Sequence, residues 1–175
     1  MQISLRISSL LETRALASFM SSRCLPGDCF TLSGKIGVGK TQFSRHFLQC
    51  YTSIADLEVP SPTFILDFVY KHKGNVVHHM DLYRLTTPQQ LDVLNLDTIF
   101  KSDISLIEWP DRLGERIPQN RLDITIFDES DSARCESRIF HLQSFTPRWS
   151  EMLKEISTKY EITDGCMSES PTFNP

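Results

Sequence analysis

The chain has 175 residues, 40% of them hydrophobic and 23% charged, with a formal net charge of -4. That length fits one α/β domain that can bury most of its apolar surface without disulfide or metal staples. The acidic balance excludes an autonomous nucleic-acid binder, which carries a basic excess, so any RNA would be held by a partner.

Gln2 to Arg6 alternates polar and apolar residues and predicts an edge strand. Ser9-Leu10-Leu11-Glu12 is a capping box, and Leu11, Ala15, Phe19 and Met20 make an apolar face behind it. This first helix is expected to end near Arg23, before Pro26-Gly27 turns the chain. Cys29-Phe30-Thr31-Leu32 reads as a buried strand. Directly after it, Gly34-Lys35-Ile36-Gly37-Val38-Gly39-Lys40-Thr41 fits the pattern G-x-x-x-x-G-K-[ST]. Phe43, Phe47 and Leu48 then recur at helical spacing, so the loop opens a helix running from about Lys40 to Cys50.

Pro60-Ser61-Pro62 is a stiff segment, and Thr63 to Tyr70 is rich in strand formers. Lys73-Gly74-Asn75 supplies a turn and Val76 to Leu82 returns, which predicts an antiparallel hairpin. Thr87-Pro88 opens a short helix through Leu94. Ile104 to Ile107 is an apolar strand that ends at Glu108-Trp109-Pro110. Arg121 to Phe127 and Arg134 to Leu142 alternate, and the polar turn Asp128–Ser132 joins them as a late hairpin. Trp149, Met152, Leu153, Ile156 and Tyr160 share one helical face. A P-loop beside hairpins implies an α/β fold with a mixed parallel and antiparallel central sheet flanked by helices. The expected organisation is a single P-loop NTPase domain over residues 1–145, an amphipathic helix over residues 146–160 packed on it, and a flexible tail over residues 161–175. That tail holds Glu161, Asp164 and Glu169 and no Lys or Arg.

Five cysteines, Cys24, Cys29, Cys50, Cys135 and Cys166, form no C-x-x-C pair and have no His at ligand spacing. The pattern argues against a disulfide framework or zinc site and for a reducing, cytoplasmic compartment. No apolar run approaches membrane-spanning length, and Glu12 and Arg14 interrupt any secretory signal core.

The chemistry concentrates at the glycine-rich loop. A strand, a turn of small residues and a helix N-terminus form a phosphate cradle, because main-chain N–H groups point inward and the helix dipole favours anions. Gly34, Gly37, Val38 and Gly39 are the cradle candidates; Lys40 adds a positive charge and Thr41 a hydroxyl for Mg²⁺. The metal also needs a carboxylate at the end of a buried strand, where Asp81 and Glu108 both stand. A strand-end acid can equally lie on the surface or cap a turn, for Asp81 the turn at Tyr83-Arg84. Ser61 and Thr63 lie about twenty residues past the loop, where switch segments place a hydroxyl that senses a γ-phosphate. Trp109, joined directly to Glu108, must lie near the site. His78 and His79 are adjacent, face opposite sides of a strand and cannot share one ion, so both read as structural. Arg84, Arg112, Arg116 and Arg121 could neutralise phosphate but read as surface arginines. Asp111-Arg112-Leu113-Gly114 mimics the D-x-x-G of GTPases, yet the chain has no N-K-x-D guanine selector.

The P-loop, Ser61-Pro62-Thr63-Phe64, His79-Met80-Asp81-Leu82-Tyr83-Arg84-Leu85 and Leu106-Ile107-Glu108-Trp109-Pro110 occur in that order. Together they resemble the TsaE (formerly YjeE) family over about residues 9–127. These are small bacterial ATPases required for threonylcarbamoyladenosine modification of tRNA. The resemblance implies that Gly39, Lys40 and Thr41 hold the phosphates of ATP, and that Thr41 with Glu108 holds Mg²⁺. It further implies that Ser61 and Thr63 form a switch-like loop, that hydrolysis depends on Asp81, that Trp109 backs the site, and that Thr13 lies near the nucleobase. Two departures stand out. Lys35 replaces a usual acid, and Gln42 replaces the usual Thr or Ser that reaches the α-phosphate. The implied partners are TsaD and TsaB, with tRNA reached only through them and no membrane, and the implied activity is a weak ATPase that drives turnover of their complex. The rival readings are a small-molecule or nucleoside kinase, although residues between Arg84 and Arg121 lack an obvious lid, and a nucleotide-gated scaffold that does not hydrolyse.

Overall fold

The computed structural model describes residues 1–129 and 137–160. Period-two sequence becomes strand β1 (Gln2–Ile7), and Ser9 caps helix α1 (Leu10–Ser21), its hydroxyl accepting from the Glu12 N–H at 3.2 Å. The Glu12 carboxylate takes the Ser8 N–H at 2.7 Å, one residue earlier than a standard capping box. The apolar run forms β2 (Cys29–Ser33), and the P-loop feeds α2 (Lys40–Thr52). Then come β3 (Asp67–His72), β4 (Asn75–Asp81), a 3₁₀ turn at Pro88–Val93, α3 (Leu96–Ser102) and β5 (Ile104–Glu108). A second 3₁₀ segment (Pro110–Arg116) leads to β6 (Arg121–Asp128), β7 (Arg138–Ser144) and α4 (Pro147–Ser157).

The seven strands form one sheet in the order β1-β7-β6-β2-β5-β4-β3. Its centre is parallel, with β2 beside both β5 and β6 and β4 beside β5, while the pairs β3/β4, β6/β7 and β1/β7 are antiparallel. Alternation along β2 and β5 sends Phe30 and Leu106 to one face and Cys29 and Ile107 to the other. The first face packs on α1, α2 and α4, where Phe30 meets Phe47 and Trp149 edge-on at 5.0 and 5.1 Å. The second packs on the 3₁₀ turns and α3 through Leu91, Leu96, Ile99 and Leu113.

Four expectations change. On α1 the packed face runs through Leu16, Ala17, Phe19 and Met20, while Leu11 and Ala15, expected on it, are exposed. The strand expected from Thr63 begins only at Asp67, because the Ile65 and Leu66 N–H groups turn back to the Pro62 carbonyl at 3.0 and 2.8 Å and Leu66 takes a left-handed φ of 71°. The helix expected through Leu94 is a 3₁₀ turn, and α3 follows it where no helix was read. The last strand begins at Arg138 rather than Arg134; residues 130–136 of the expected turn and strand, and the tail over 161–175, lie outside the described residues.

Candidate nucleotide site

The loop between β2 and α2 holds its shape through glycines. Gly34 has φ +139°, and a Cβ there would lie 2.4 Å from the Ile126 carbonyl oxygen, so only glycine lets the loop rest on β6. Gly37 and Gly39, at φ +79° and +118°, differ: nothing lies within 4 Å of where their side chains would be. Their main chain therefore borders open space. No side chain caps α2, whose N-cap is Gly39, so its first amides face the same opening.

Lys40, only 5% exposed, reaches back along the loop and donates to the Gly34 and Lys35 carbonyls at 2.7 and 2.8 Å. Its ammonium stands 4.0 Å from the centre of the Trp109 ring. Burial lowers its pKa, while the charges of Glu108, Asp81 and Asp111 oppose that shift. Trp109 itself has φ 60°, an uncommon conformation for a bulky residue, and its N–H continues the β5–β2 ladder to the Leu32 carbonyl at 3.2 Å.

The two acids meet across a strand pair. Asp81 ends β4, Glu108 ends β5, and the parallel register sets them side by side. The Thr41 hydroxyl donates to Glu108 Oε2 at 2.9 Å. Asp81 Oδ2 accepts from the Thr63 and Ser61 hydroxyls at 2.5 and 3.2 Å, and its Oδ1 from the Tyr83 N–H at 3.0 Å. A cleft of about 300 Å³ is lined by Ile36, Gly37, Gly39, Lys40, Thr41, Gln42, Ser61, Thr63, Asp81, Tyr83, Glu108 and Trp109. An adjoining cavity of about 410 Å³ shares Gly37, Gly39 and Gln42 with it and is completed by Ile7, Ser9, Leu10, Thr13, Val38, Arg138 and Phe140.

Of the residues expected to bind nucleotide or metal, Thr13, Gly37, Val38, Gly39, Lys40, Thr41, Gln42, Ser61, Thr63, Asp81, Glu108 and Trp109 line one of these two spaces; Gly34 supports the loop from behind. The four arginines do not line them. Arg84 covers the Phe64 ring at 4.2 Å, and Arg112, Arg116 and Arg121 pair with Asp111, Asp92 and Asp123. Asp111 to Gly114 lines neither space and forms part of the second 3₁₀ segment.

Three contributors, His79, Arg45 and His46, escaped the sequence reading. His79, read as structural, is fully buried with Nε2 2.8 Å from Glu108 Oε1; the signal was its i−2 position to Asp81, which puts both on one face. His78, on the opposite face, lies between Asp67 and Asp103 at 2.7 and 3.3 Å. Arg45 joins two parts of the site, donating to Gln42 Oε1 at 2.7 Å and twice to the Val59 carbonyl at 3.3 and 3.1 Å, two residues before Ser61. Gln42 Nε2 in turn donates to His46 Nε2 at 2.9 Å. Burial first, then Arg14 and Arg45, lower the His46 pKa, which suits its role as acceptor.

The parallel-centred sheet with a glycine loop between a central strand and a helix N-terminus is a P-loop NTPase fold, a class that binds nucleotides. The crystal structure of YdiB from Bacillus subtilis shares it, with a TM-score of 0.73 and 28% identity over 91% of this chain and 96% of that one. The family model described as "Threonylcarbamoyl adenosine biosynthesis protein TsaE" matches residues 7–137, and the chain belongs to the TsaE family. Among its relatives is a Bacillus subtilis (strain 168) protein named "tRNA threonylcarbamoyladenosine biosynthesis protein TsaE", 36% identical over 124 residues that make up 70% of this chain and 76% of that protein. Proteins of the same name from Rickettsia bellii and Haemophilus influenzae are 29% and 36% identical, over 69% and 59% of this chain and 83% and 64% of theirs.

Proposed function

We propose that this chain is a Mg²⁺-dependent ATP-binding protein with weak intrinsic ATPase activity. Its role is in threonylcarbamoyladenosine modification of tRNA, where hydrolysis drives turnover of a TsaD–TsaB complex in the cytoplasm. The observation that carries this reading is the convergence of Lys40, Thr41, Glu108, Asp81, Ser61 and Thr63 on one cleft beside a loop whose main chain faces open space.

The donor set suits the ligands. A hydroxyl and a carboxylate are hard oxygen donors of the kind Mg²⁺ takes, with phosphate oxygens and water filling the remaining positions. Among the described residues no three His, Cys, Asp or Glu side chains gather to hold a metal alone, so Thr41 and Glu108 would hold it together with the nucleotide. When bound, Mg²⁺–ATP supplies the phosphoryl group and the metal charge that polarises it. Lys40 stands beside the loop amides to counter phosphate charge. Asp81 gathers the Ser61 and Thr63 hydroxyls, tying the switch segment to the strand end and leaving an acceptor to orient water. The second cavity, apolar at Ile7, Leu10 and Phe140 and polar at Thr13 and Gln42, has the character of a nucleoside site and continues from the P-loop.

Among the described residues no arginine lines the first cleft, so slow hydrolysis is expected; an arginine finger supplied in trans is worth about 10³–10⁵ in rate. The test is ATPase activity and co-purification with TsaD–TsaB, comparing the parent with Lys40→Ala. The expected result is weak activity alone, stimulation by the partners and loss of both in the variant. Equal rates with and without the partners, or a phosphorylated nucleoside as product, would contradict it.

A further inference from the structure

β5 carries Glu108 to the cleft, but its carboxylate could turn in several directions. Oε2 accepts from the Thr41 hydroxyl at 2.9 Å, and Oε1 lies 2.8 Å from His79 Nε2. We propose that His79 is a positioning residue for the metal-binding carboxylate. Its Nε2–H holds Oε1, so that Oε2 is turned to Thr41 and the metal position; this rests on the Mg²⁺–ATP reading above.

Three observations support it. The parallel register pairs His79 with Leu106 and Asp81 with Glu108, so β4 and β5 send His79, Asp81 and Glu108 to the same face. His79 is fully buried and Glu108 nearly so, which makes their bond inaccessible to competing water. Finally, the imidazole pays for packing poorly. A carboxylate only accepts, so the ring carries its proton on Nε2, and the buried Nδ1 has no hydrogen-bond partner. An aliphatic side chain would fill that volume without stranding a nitrogen. What the imidazole adds over such a side chain is the bond to Glu108. Neighbours that orient a metal ligand in this way typically change metal affinity or activity by about 10–100-fold when removed.

The test compares the full-length chain with His79→Leu and with His79→Gln, whose amide can donate from a similar position. Two quantities are read: the Mg²⁺ concentration that gives half-maximal ATP hydrolysis, and affinity for the non-hydrolysable analogue AMPPNP in EDTA. His79→Leu is expected to raise the Mg²⁺ requirement about 10–100-fold while metal-free AMPPNP affinity stays at the parent value. His79→Gln should recover most of the difference. Should His79→Leu fail to fold, His79→Met carries the same comparison. An unchanged Mg²⁺ requirement in the apolar variant, a glutamine variant no better than it, or an equal loss of metal-free affinity would each overturn the proposal. A parent chain that hydrolyses ATP without Mg²⁺ would instead remove the metal reading itself, and the variants are not needed to see that.

Discussion

The two walls of the cleft are built in different ways. The P-loop wall, from Gly34 to Thr41, is held by main-chain geometry: Gly34 pressed on β6, glycines at left-handed φ, and Lys40 folded onto the loop carbonyls. The opposite wall, from Val59 to Leu66, is held mainly by side chains. Arg45 grips the Val59 carbonyl, Ser61 and Thr63 hang on Asp81, and Phe64 and Ile65 stand 82% and 54% exposed. A wall fixed by its own backbone is in place before any ligand arrives, whereas one fixed by a few side-chain hydrogen bonds to charged groups, about 1.5–3 kcal/mol each, can be rearranged when a ligand offers replacements for them. The cleft thus sets a preformed cradle against an adjustable segment, the division of labour that switch loops use.

Substitutions in the two walls should separate accordingly. The largest effect is expected at Lys40. Removing a charged donor to phosphate costs about 1.5–3 kcal/mol, so Lys40→Ala should weaken ATP binding by about 10–100-fold and bring hydrolysis below detection, as calorimetry and phosphate release would record. Asp81→Asn keeps the shape of the adjustable wall but weakens the acceptor that gathers it. Hydrolysis should fall about a hundredfold, within the range for a positioned carboxylate, while binding changes little. Parallel losses of binding and rate would instead mean that the two walls act as one.

Gly34→Ala probes the fixed wall through stability. A Cβ 2.4 Å from a backbone oxygen at a φ no alanine favours should cost about 2–3 kcal/mol, seen as a drop of about 4–12 °C in melting temperature. Arg45→Ala should do the reverse, leaving the melting temperature within a few degrees while slowing hydrolysis several-fold. A stability loss larger than that of Gly34→Ala would erase the distinction between the walls.

The smallest effect concerns pH. Burial disfavours charge on His78, but its hydrogen bonds to Asp67 and then Asp103, with their charges, outweigh burial and raise its pKa. A raised folded-state pKa stabilises fully below the unfolded value near 6.5 and loses that stabilisation as pH rises through the folded one. Melting curves of the parent and His78→Gln should therefore differ most at pH 5.5–6 and converge toward pH 9. A gap that widens with pH would contradict the assignment.

The fixed wall was the more legible of the two in the sequence, because its chemistry is local. A strand, a G-x-x-x-x-G-K-T loop and a helix are contiguous, and Glu108 closes an apolar run, as Asp81 closes the return strand of the hairpin. The adjustable wall misled the reading. Thr63-Phe64-Ile65-Leu66 has strand composition, but Thr63 is drawn to Asp81 and the chain folds back on Pro62, so its apolar residues face solvent rather than the sheet. The role of His79 is hidden in the sequence for a related reason: adjacency to His78 says only that the two cannot share an ion, while the parity of β4 against β5, a long-range property, decides what each imidazole meets. Arg45 was legible only as a polar residue of α2, since its carbonyl partner at Val59 is set by the loop path.

A crystal structure with AMPPNP and Mn²⁺, the metal read from its anomalous signal, is the decisive measurement. One peak is expected at the cleft, within coordination distance of Thr41 Oγ1 and beside Glu108 Oε2, with phosphate oxygens against Lys40. A metal peak remote from Thr41 and Glu108, or phosphates away from the glycine loop, would contradict the Mg²⁺–ATP reading.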